Sequence, residues 1–320
     1  PDDAGELRVY LRPYPLPLGR AKIHVFNDNA WVNSAPDDLE QGLAGFHVTL
    51  NDQINLQVTV DAFGNPICGG TCITDSSGNV TIDNLPPGTY FANVTPPKGK
   101  GWVQTSTFLG ALPVVVGVEE GAEGTGLGSG LLWLPPDQRT MWFFGFVKRM
   151  KWPAAGNGTG SISGTAKNWV AWPPSEALTF GDAVEKPYLA LTDRATNTQA
   201  WMGRGHSDGT FTIPRVPAGS YTLSVWDEDL SYIIRFINVD VATGEQVDLN
   251  TLDGDGDGQP DGALGVPRWF GWLSGNVYYD GNGNGVRDPG ERPVPNTDVD
   301  QRWRDGSIKG ATMTDANGIL

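Results

Sequence analysis

The chain has 320 residues, of which 39% are hydrophobic and 10% aromatic, with 43 glycines, 24 prolines and a formal net charge of −15. So much apolar material excludes a disordered chain, and the acidic balance excludes a nucleic-acid binder, which needs Lys and Arg against phosphate. There is no apolar run of about 18 residues, so no membrane-spanning helix is expected.

Abundant Gly and Pro without a long helical period predict an all-β chain rich in turns. The length allows two or three domains. A start at Pro1-Asp2-Asp3 without Met reads as a mature or trimmed product. Three domains are expected, at 1–150, 151–271 and 272–320.

The first opens with an alternating strand, Ala21 to Phe26, followed by Asn27-Asp28-Asn29-Ala30-Trp31 and then Asp37 and Glu40. The spacing from Asp28 to Asp37 is too long for a standard calcium loop, so this is read as a variant or decayed site. A strand at Phe46–Leu50 comes next. Cys68 and Cys72 are the only cysteines. Zinc needs four ligands, and His24, His47 and His206 are scattered, so a local disulfide is expected, the alternative being a free pair at a hairpin tip. Glu119–Gly130 reads as a flexible acidic loop, Trp142–Val147 as a closing strand, and Met150–Gly160 as a linker.

In the second domain an opening strand, Ser161–Ala166, precedes Asp182, Glu185 and the apolar strand Tyr188–Leu191. Asp-x-x-Glu occurs at 37/40, 182/185 and 288/291, and the reading aligns all three. No acids lie upstream of Asp182, so no ion is expected there. The segment Thr74-Asp75…Gly78…Leu85-Pro-Pro-Gly88-Thr-Tyr90 has a second copy at Ser207-Asp208-Gly209…Val216-Pro-Ala-Gly219-Ser-Tyr221 and a third beginning at Thr314-Asp315. Each predicts an Asp/Gly turn, a strand, a Pro-x-Gly turn and a second strand with its Tyr in the core. Trp269–Trp272 reads as the second domain's closing strand. The second-domain pattern resembles carboxypeptidase-regulatory or transthyretin-like modules, which implies a prealbumin-like sandwich at 158–250.

Ahead of that closing strand, Asp253, Asp255, Asp257, Gln259 and Asp261 occupy a calcium-loop pattern whose twelfth place is Leu264. The Asp-x-Asp-x-Asp-Gly core resembles dockerin and thrombospondin type-3 loops, and clustered like charges favour a cation there. The third domain carries the fullest motif. Asp280, Asn282, Asn284, the Val286 carbonyl, Asp288 and Glu291 fall at positions 1, 3, 5, 7, 9 and 12, with Gly285 at the sixth.

With Val277-Tyr278-Tyr279 ahead of it and Thr314-Asp315-Ala-Asn-Gly318 behind, this loop resembles the B-type repeats of serine–aspartate-repeat surface adhesins, over 272–320 and more weakly over 20–147. The resemblance implies calcium-bound immunoglobulin-like β-sandwiches in tandem, the last incomplete. Isopeptide cross-links in related collagen-adhesin domains need a carboxyl four residues after the Pro-Gly-x-Tyr tyrosine. Val94 and Val225 stand there, so no such bond is expected in the first two domains.

Trp102, Trp133, Trp142, Trp152, Trp169, Trp172 and Trp201 are read as core and interdomain packing rather than a sugar platform. Asn79, Asn93 and Asn157 lie in glycosylation sequons. No catalytic set or phosphate loop is recognisable. The expected function is therefore non-enzymatic: a secreted, calcium-stabilised structural or adhesive segment of a cell-surface protein or extracellular filament. Its partners would be copies of itself, further domains of the same chain, or a glycan or host ligand. The alternative is an accessory, possibly carbohydrate-binding, region of a larger secreted enzyme.

Overall fold

The computed structural model describes residues 18–52, 56–86, 88–105, 114–116, 141–152, 158–170, 179–254, 258–268, 274–302 and 308–320. The expected acidic loop 119–130 and the aromatic strand Trp269–Trp272 lie outside these residues. The chain is all-β.

The first unit contains β1 (Gly19–Asn27), β2 (His47–Asp52), β3 (Cys72–Ile73), β4 (Asn79–Leu85), β5 (Gly88–Thr95), β6 (Trp102–Gln104), β7 (Val114–Val116) and β8 (Met141–Lys148). They form two four-stranded sheets, in orders β4-β1-β8-β6 and β3-β2-β5-β7. Strands β1 and β8 run parallel, and the other pairs are antiparallel. Alternation along β1 turns Ala21, Ile23 and Val25 inward, where they meet Val48, Leu50, Tyr90, Trp142, Phe144 and Phe146 from both sheets. That shared core makes the pair a sandwich.

The second unit contains β9 (Gly160–Val170), β10 (Thr179–Ala183), β11 (Tyr188–Asp193), β12 (Thr198–Arg204), β13 (Thr210–Val216), β14 (Gly219–Trp226), β15 (Arg235–Val241), β16 (Gln246–Asp248) and β17 (Leu264–Pro267). Long β9 takes β13 and β10 antiparallel along successive halves, with β16 and β17 parallel to it. The opposing sheet is β12-β11-β14-β15. Ile162, Leu189, Leu191, Phe211, Ile213, Leu223 and Val225 fill the space between. In the last part, β18 (Asp298–Arg302) pairs antiparallel with β19 (Ile308–Met313).

The predicted Pro-x-Gly turns carry the chain from one sheet to the other. Strand β4 pairs with β1, whereas β5 pairs with β2 in the facing sheet; β13 and β14 divide in the same way. The reason lies in the tyrosine. The Tyr90 hydroxyl donates to the Pro86 carbonyl at 2.7 Å, and Tyr221 donates to Pro217 at 3.1 Å. Each ring is buried while its hydroxyl fastens the crossing.

One knot of backbone recurs three times. The N–H groups of Val25, Ala166 and Val277 donate to the carbonyls of Gly78, Gly209 and Gly318 at 2.7–2.9 Å. The carbonyls of the same three residues accept from Leu43, Val184 and Val294. The glycines have φ of 77–80° and 70°, and a Cβ on any of them would lie 2.2–2.4 Å from the Val25, Ala166 or Val277 oxygen. Only glycine fits.

This knot corrects the predicted alignment. Phe26 bridges Gly42, Lys167 pairs with Ala183, and Tyr278 bridges Pro293, so Ala183 is the counterpart of Gly42 and Pro293. Asp182 and Glu185 therefore stand four residues out of register with Asp37/Glu40 and Asp288/Glu291. Similar letters, spaced alike, had concealed the shift.

Strands β11 and β14 are buried along both faces. One face of each enters the second core. The other, carrying Tyr188, Ala190 and Trp226, packs with Val32 and Val147 of the first sandwich and with Met202 and Ile234. Polar contacts cross the same joint: Gln199 N–H to the Asn29 carbonyl (2.9 Å), Gln199 Nε2 to Lys148 (2.9 Å), and Trp226 Nε1 to Gln104 (3.0 Å). Val32 is held twice, its carbonyl accepting from Ser224 Oγ (2.6 Å) and its N–H donating to Thr192 Oγ1 (3.5 Å).

Candidate cation-binding loops

Both complete acidic loops leave an opening strand three residues after the knot: Asp280 follows Val277, and Asp28 follows Val25. Both return three residues before it, at Glu291 before Val294 and Glu40 before Leu43. The strand end therefore fixes where the first carboxylate stands, and the knot fixes the last.

In the third-unit loop, Asp280 gathers backbone donors. Its Oδ1 accepts from Gly283 (2.7 Å) and Asn284 (3.2 Å), and its Oδ2 accepts from Gly285 (2.8 Å). These bonds, that from Gly285 foremost, hold its carboxyl below the usual carboxylate range. Glu291 spans the loop, Oε1 accepting from Gly281 (2.9 Å) and Oε2 from Asp288 (3.0 Å). Asn282 and Asn284 donate their amide Nδ2 to Asp288 Oδ2, at 2.6 and 2.7 Å. Gly285 has φ 74°, which permits the reversal. The sequence-predicted Asp280, Asn282, Asn284, Asp288 and Glu291 are thus brought into one hydrogen-bonded ring. Val286 joins it through its N–H, which donates to Asn284 Oδ1 (2.8 Å).

The first-unit loop follows the same plan with one residue more. Asp28 Oδ1 accepts from Asn33 (3.0 Å) and Oδ2 from Ser34 (2.9 Å); Glu40 Oε1 accepts from Ala30 (3.0 Å) and Oε2 from Asp37 (3.0 Å). Asn33 Nδ2 donates to Asp37 Oδ2 (3.0 Å), and Ala35 N–H donates to Asn33 Oδ1 (2.8 Å). Ser34 takes φ 70° in the place of Gly285. The spacing that set this loop aside in the sequence is an insertion between Asp28 and Asn33, absorbed while Asp28, Asn33, Asp37 and Glu40 keep the contacts of Asp280, Asn284, Asp288 and Glu291.

Its surroundings differ. Asp280 lies in an exposed loop, whereas Asp28 is fully buried. Burial, above the opposing bonds from Thr105, Asn33 and Ser34, raises the Asp28 carboxyl to about 6. Burial and then the Asp28 charge raise Glu40 to about 8. Among the described residues, neither acid nor Asp37 forms an ion pair with Lys or Arg.

Of the Asp253 loop, residues 255–257, and with them Asp255 and Asp257, lie outside the described residues. Asp253 Oδ2 accepts from Gly258 (2.9 Å), and Asp261 Oδ2 accepts from Gly254 (2.7 Å), so the two ends close on each other. Gln259 is exposed. In the second unit, Trp169 stands where Asp28 and Asp280 stand in the others.

Among the described residues, no three His, Cys, Asp or Glu side chains converge into a ready-made metal cage. The donor set nonetheless suits a hard cation, being carboxylate, amide and carbonyl oxygen throughout. In both complete loops an Asn N–H dipole supplies the positive end that the later aspartate, Asp288 or Asp37, meets. The sulfurs of Cys68 and Cys72 are bonded, with Cα atoms 5.1 Å apart. Val94 and Val225 are buried in their cores. Of the tryptophans, Trp142 is core and Trp152 packs on Tyr221, while Trp133 and Trp172 lie outside the described residues. Trp226, at the joint, was missed by sequence reasoning.

Comparison with known proteins adds a partial family match. Residues 175–249 match polysaccharide lyase family 4, domain II. That segment runs from ahead of β10 to the end of β16. No curated protein matches the chain in sequence. Among solved structures, the Bacillus anthracis TIE protein aligns with 95% of this chain at 13% identity and a TM-score of 0.24; the chain spans 42% of that protein's length. The minor pilin in Streptococcus agalactiae aligns with 80% of this chain and 98% of its own, at 12% identity and TM-score 0.26. The shaft pilin SpaA from Lactobacillus rhamnosus GG aligns with 72% of this chain and 96% of its own, at 12% and 0.26.

Proposed function

We propose that the chain is an extracellular structural segment: a tandem row of β-sandwiches, tied by calcium, within a cell-surface protein or filament. The observation that carries this reading is the joint between the first two sandwiches. It is apolar at its centre and hydrogen-bonded around it, so the two move as one body, as a stalk requires. A bonded Cys68–Cys72 pair suits an oxidising compartment. No described helix is long and apolar enough to cross a membrane.

In the third unit, Asp280, Asn282, Asn284, the Val286 carbonyl, Asp288 and Glu291 would hold calcium, and Asp253, Asp255, Asp257, Gln259 and Asp261 would hold a second ion. Bound calcium supplies positive charge that neutralises clustered acids and fixes the loop ends. The chain's own contribution is to hold Asp280 and Glu291 on backbone N–H groups at a rigid strand end. Its partners in this reading are copies of itself or further domains, with a glycan or host ligand at exposed loops. Limited proteolysis tests it: chelation should speed cleavage between 253 and 291, and an unchanged pattern would count against it.

A second reading has its own support. The lyase-family match over 175–249 favours an accessory, non-catalytic region of a secreted polysaccharide-degrading enzyme. Binding of uronate-containing polysaccharides to the chain would favour that alternative.

A further inference from the structure

Asn-Gly is a chemically labile pair, and among the described residues it occurs at Asn282-Gly283, Asn284-Gly285 and Asn317-Gly318. Glycine has no side chain to shield its backbone nitrogen, which can attack the asparagine Cγ. The N–Cγ bond forms and the Cγ–Nδ2 bond breaks, and ammonia leaves with the proton of the glycine nitrogen. Water then opens the five-membered imide to aspartate or isoaspartate. Water is the one co-reactant, so the conversion needs no enzyme.

The three pairs stand in different surroundings. Gly318 is buried in the backbone knot, where a Cβ would lie 2.4 Å from the Val277 oxygen, so packing alone restrains it. Asn282 and Asn284 are exposed, and nothing lies within 4 Å of the place a Cβ would take on Gly283 or Gly285. There the restraint is the hydrogen-bonded ring. Both attacking nitrogens are tied to one carboxylate, Gly283 N–H to Asp280 Oδ1 (2.7 Å) and Gly285 N–H to Oδ2 (2.8 Å). Both amides under attack are tied at each end. Their Nδ2 atoms donate to Asp288 Oδ2 at 2.6 and 2.7 Å. Their Oδ1 atoms accept from the N–H two residues on, that of Asn284 (3.0 Å) and of Val286 (2.8 Å), so each amide is aimed past its glycine.

We propose that Asn282 and Asn284 are deamidation sites kept closed by Asp280 and Asp288, and that conversion of either turns a passing opening of this loop into a lasting one. The lasting effect follows from the bond that is lost. Each amide donor meets Asp288, and in the product a carboxylate faces that carboxylate instead. Isoaspartate also adds a carbon to the main chain of the loop. Local opening, not sequence, therefore sets the rate. The proposal does not rest on the calcium reading, because the restraining bonds all lie among the loop's own groups.

The experiment incubates the full chain in EDTA at mildly alkaline pH, beside a synthetic peptide spanning 276–295 as the unrestrained reference. Peptide mapping by mass spectrometry follows each asparagine. Asn282 and Asn284 should convert about tenfold or more slowly in the chain than in the peptide. Asp280→Ala should bring both close to the peptide rate while Asn317 stays slow, which shows that the knot is intact. Equal rates in chain and peptide would overturn the proposal, as would slow conversion that persists in Asp280→Ala. A reading free of substitutions covers the case in which that variant unfolds and Asn317 converts as well. In the parent chain, hydrogen exchange at the Gly283 and Gly285 amides and deamidation at Asn282 and Asn284 should rise together as urea is raised below the unfolding transition. Exchange that rises while deamidation does not would overturn the proposal. Converted chain, separated by ion exchange, should exchange those amides about tenfold faster than the parent. Unchanged exchange would refute the lasting opening.

Discussion

Ser224 Oγ donates to the Val32 carbonyl at 2.6 Å, across two sandwiches whose members lie 192 residues apart. Both groups are buried, so this bond forms where water cannot substitute for it. The same short segment carries Trp31 to Phe236 and sits between the two carboxylates that hold the first-unit loop.

The joint should behave as a core. Trp226 is fully buried and donates to Gln104, so Trp226→Ala should cost about 3–5 kcal/mol and separate the two units. Ser224→Ala should cost about 1 kcal/mol. Denaturant unfolding gives the energies, and small-angle scattering should show a larger radius of gyration for the tryptophan variant alone.

The two crossing tyrosines act in separate cores. Tyr90→Phe and Tyr221→Phe should each cost about 1 kcal/mol by removing one hydroxyl bond, and the double variant should show their sum. Urea unfolding checks this: one transition destabilised by the sum is expected where the joint makes the two cores unfold together, whereas two transitions, each shifted by its own variant alone, would mean that the cores unfold separately.

Gly78→Ala and Gly209→Ala should be more disruptive than their size implies. Each combines positive φ with a Cβ pressed onto a backbone oxygen, so the loss should exceed the about 1–2 kcal/mol of a left-handed residue alone. Gly285→Ala, where nothing lies within 4 Å of the new atom, should stay near that value. Thermal unfolding of the three variants ranks them.

Asp227 gives the stability a pH dependence of definite sign. Its buried carboxyl accepts from Ser231 and Tyr232 at 3.0 and 3.1 Å, and burial, outweighing those bonds, raises its pKa. A raised carboxyl binds its proton more tightly when folded. Its contribution is therefore complete below the ordinary Asp value and is lost as pH rises through the folded one. Asp227→Asn should flatten that part of the stability–pH curve, measured by urea unfolding across the acidic range.

Much of the fold was legible because strand physics writes itself as alternation: Ala21, Ile23 and Val25 face inward as their spacing predicts. The Asp/Gly turns were legible because φ near 75° demands glycine. The Asp182/Glu185 pair misled because like spacing is not like register, which only the pairing of Ala183 with Lys167 reveals. The Asp28 loop was legible as acidic but not as equivalent, since one inserted residue breaks a counting rule while the hydrogen bonds absorb it. The joint went unread. Its one signal was that Tyr188-Leu-Ala-Leu191 and Leu223-Ser-Val-Trp226 are nearly continuous apolar runs, as strands buried on two faces are.

In the proposed function, oxygen-rich loops tied by calcium hold the sandwiches in line. Thermal unfolding of the full chain in millimolar calcium and in excess EDTA tests it most directly. Linkage predicts about 2.7 kcal/mol of stabilisation when calcium stands at a hundred times its dissociation constant, seen as a midpoint higher by several degrees. Coincident melting curves under the two conditions would contradict the account.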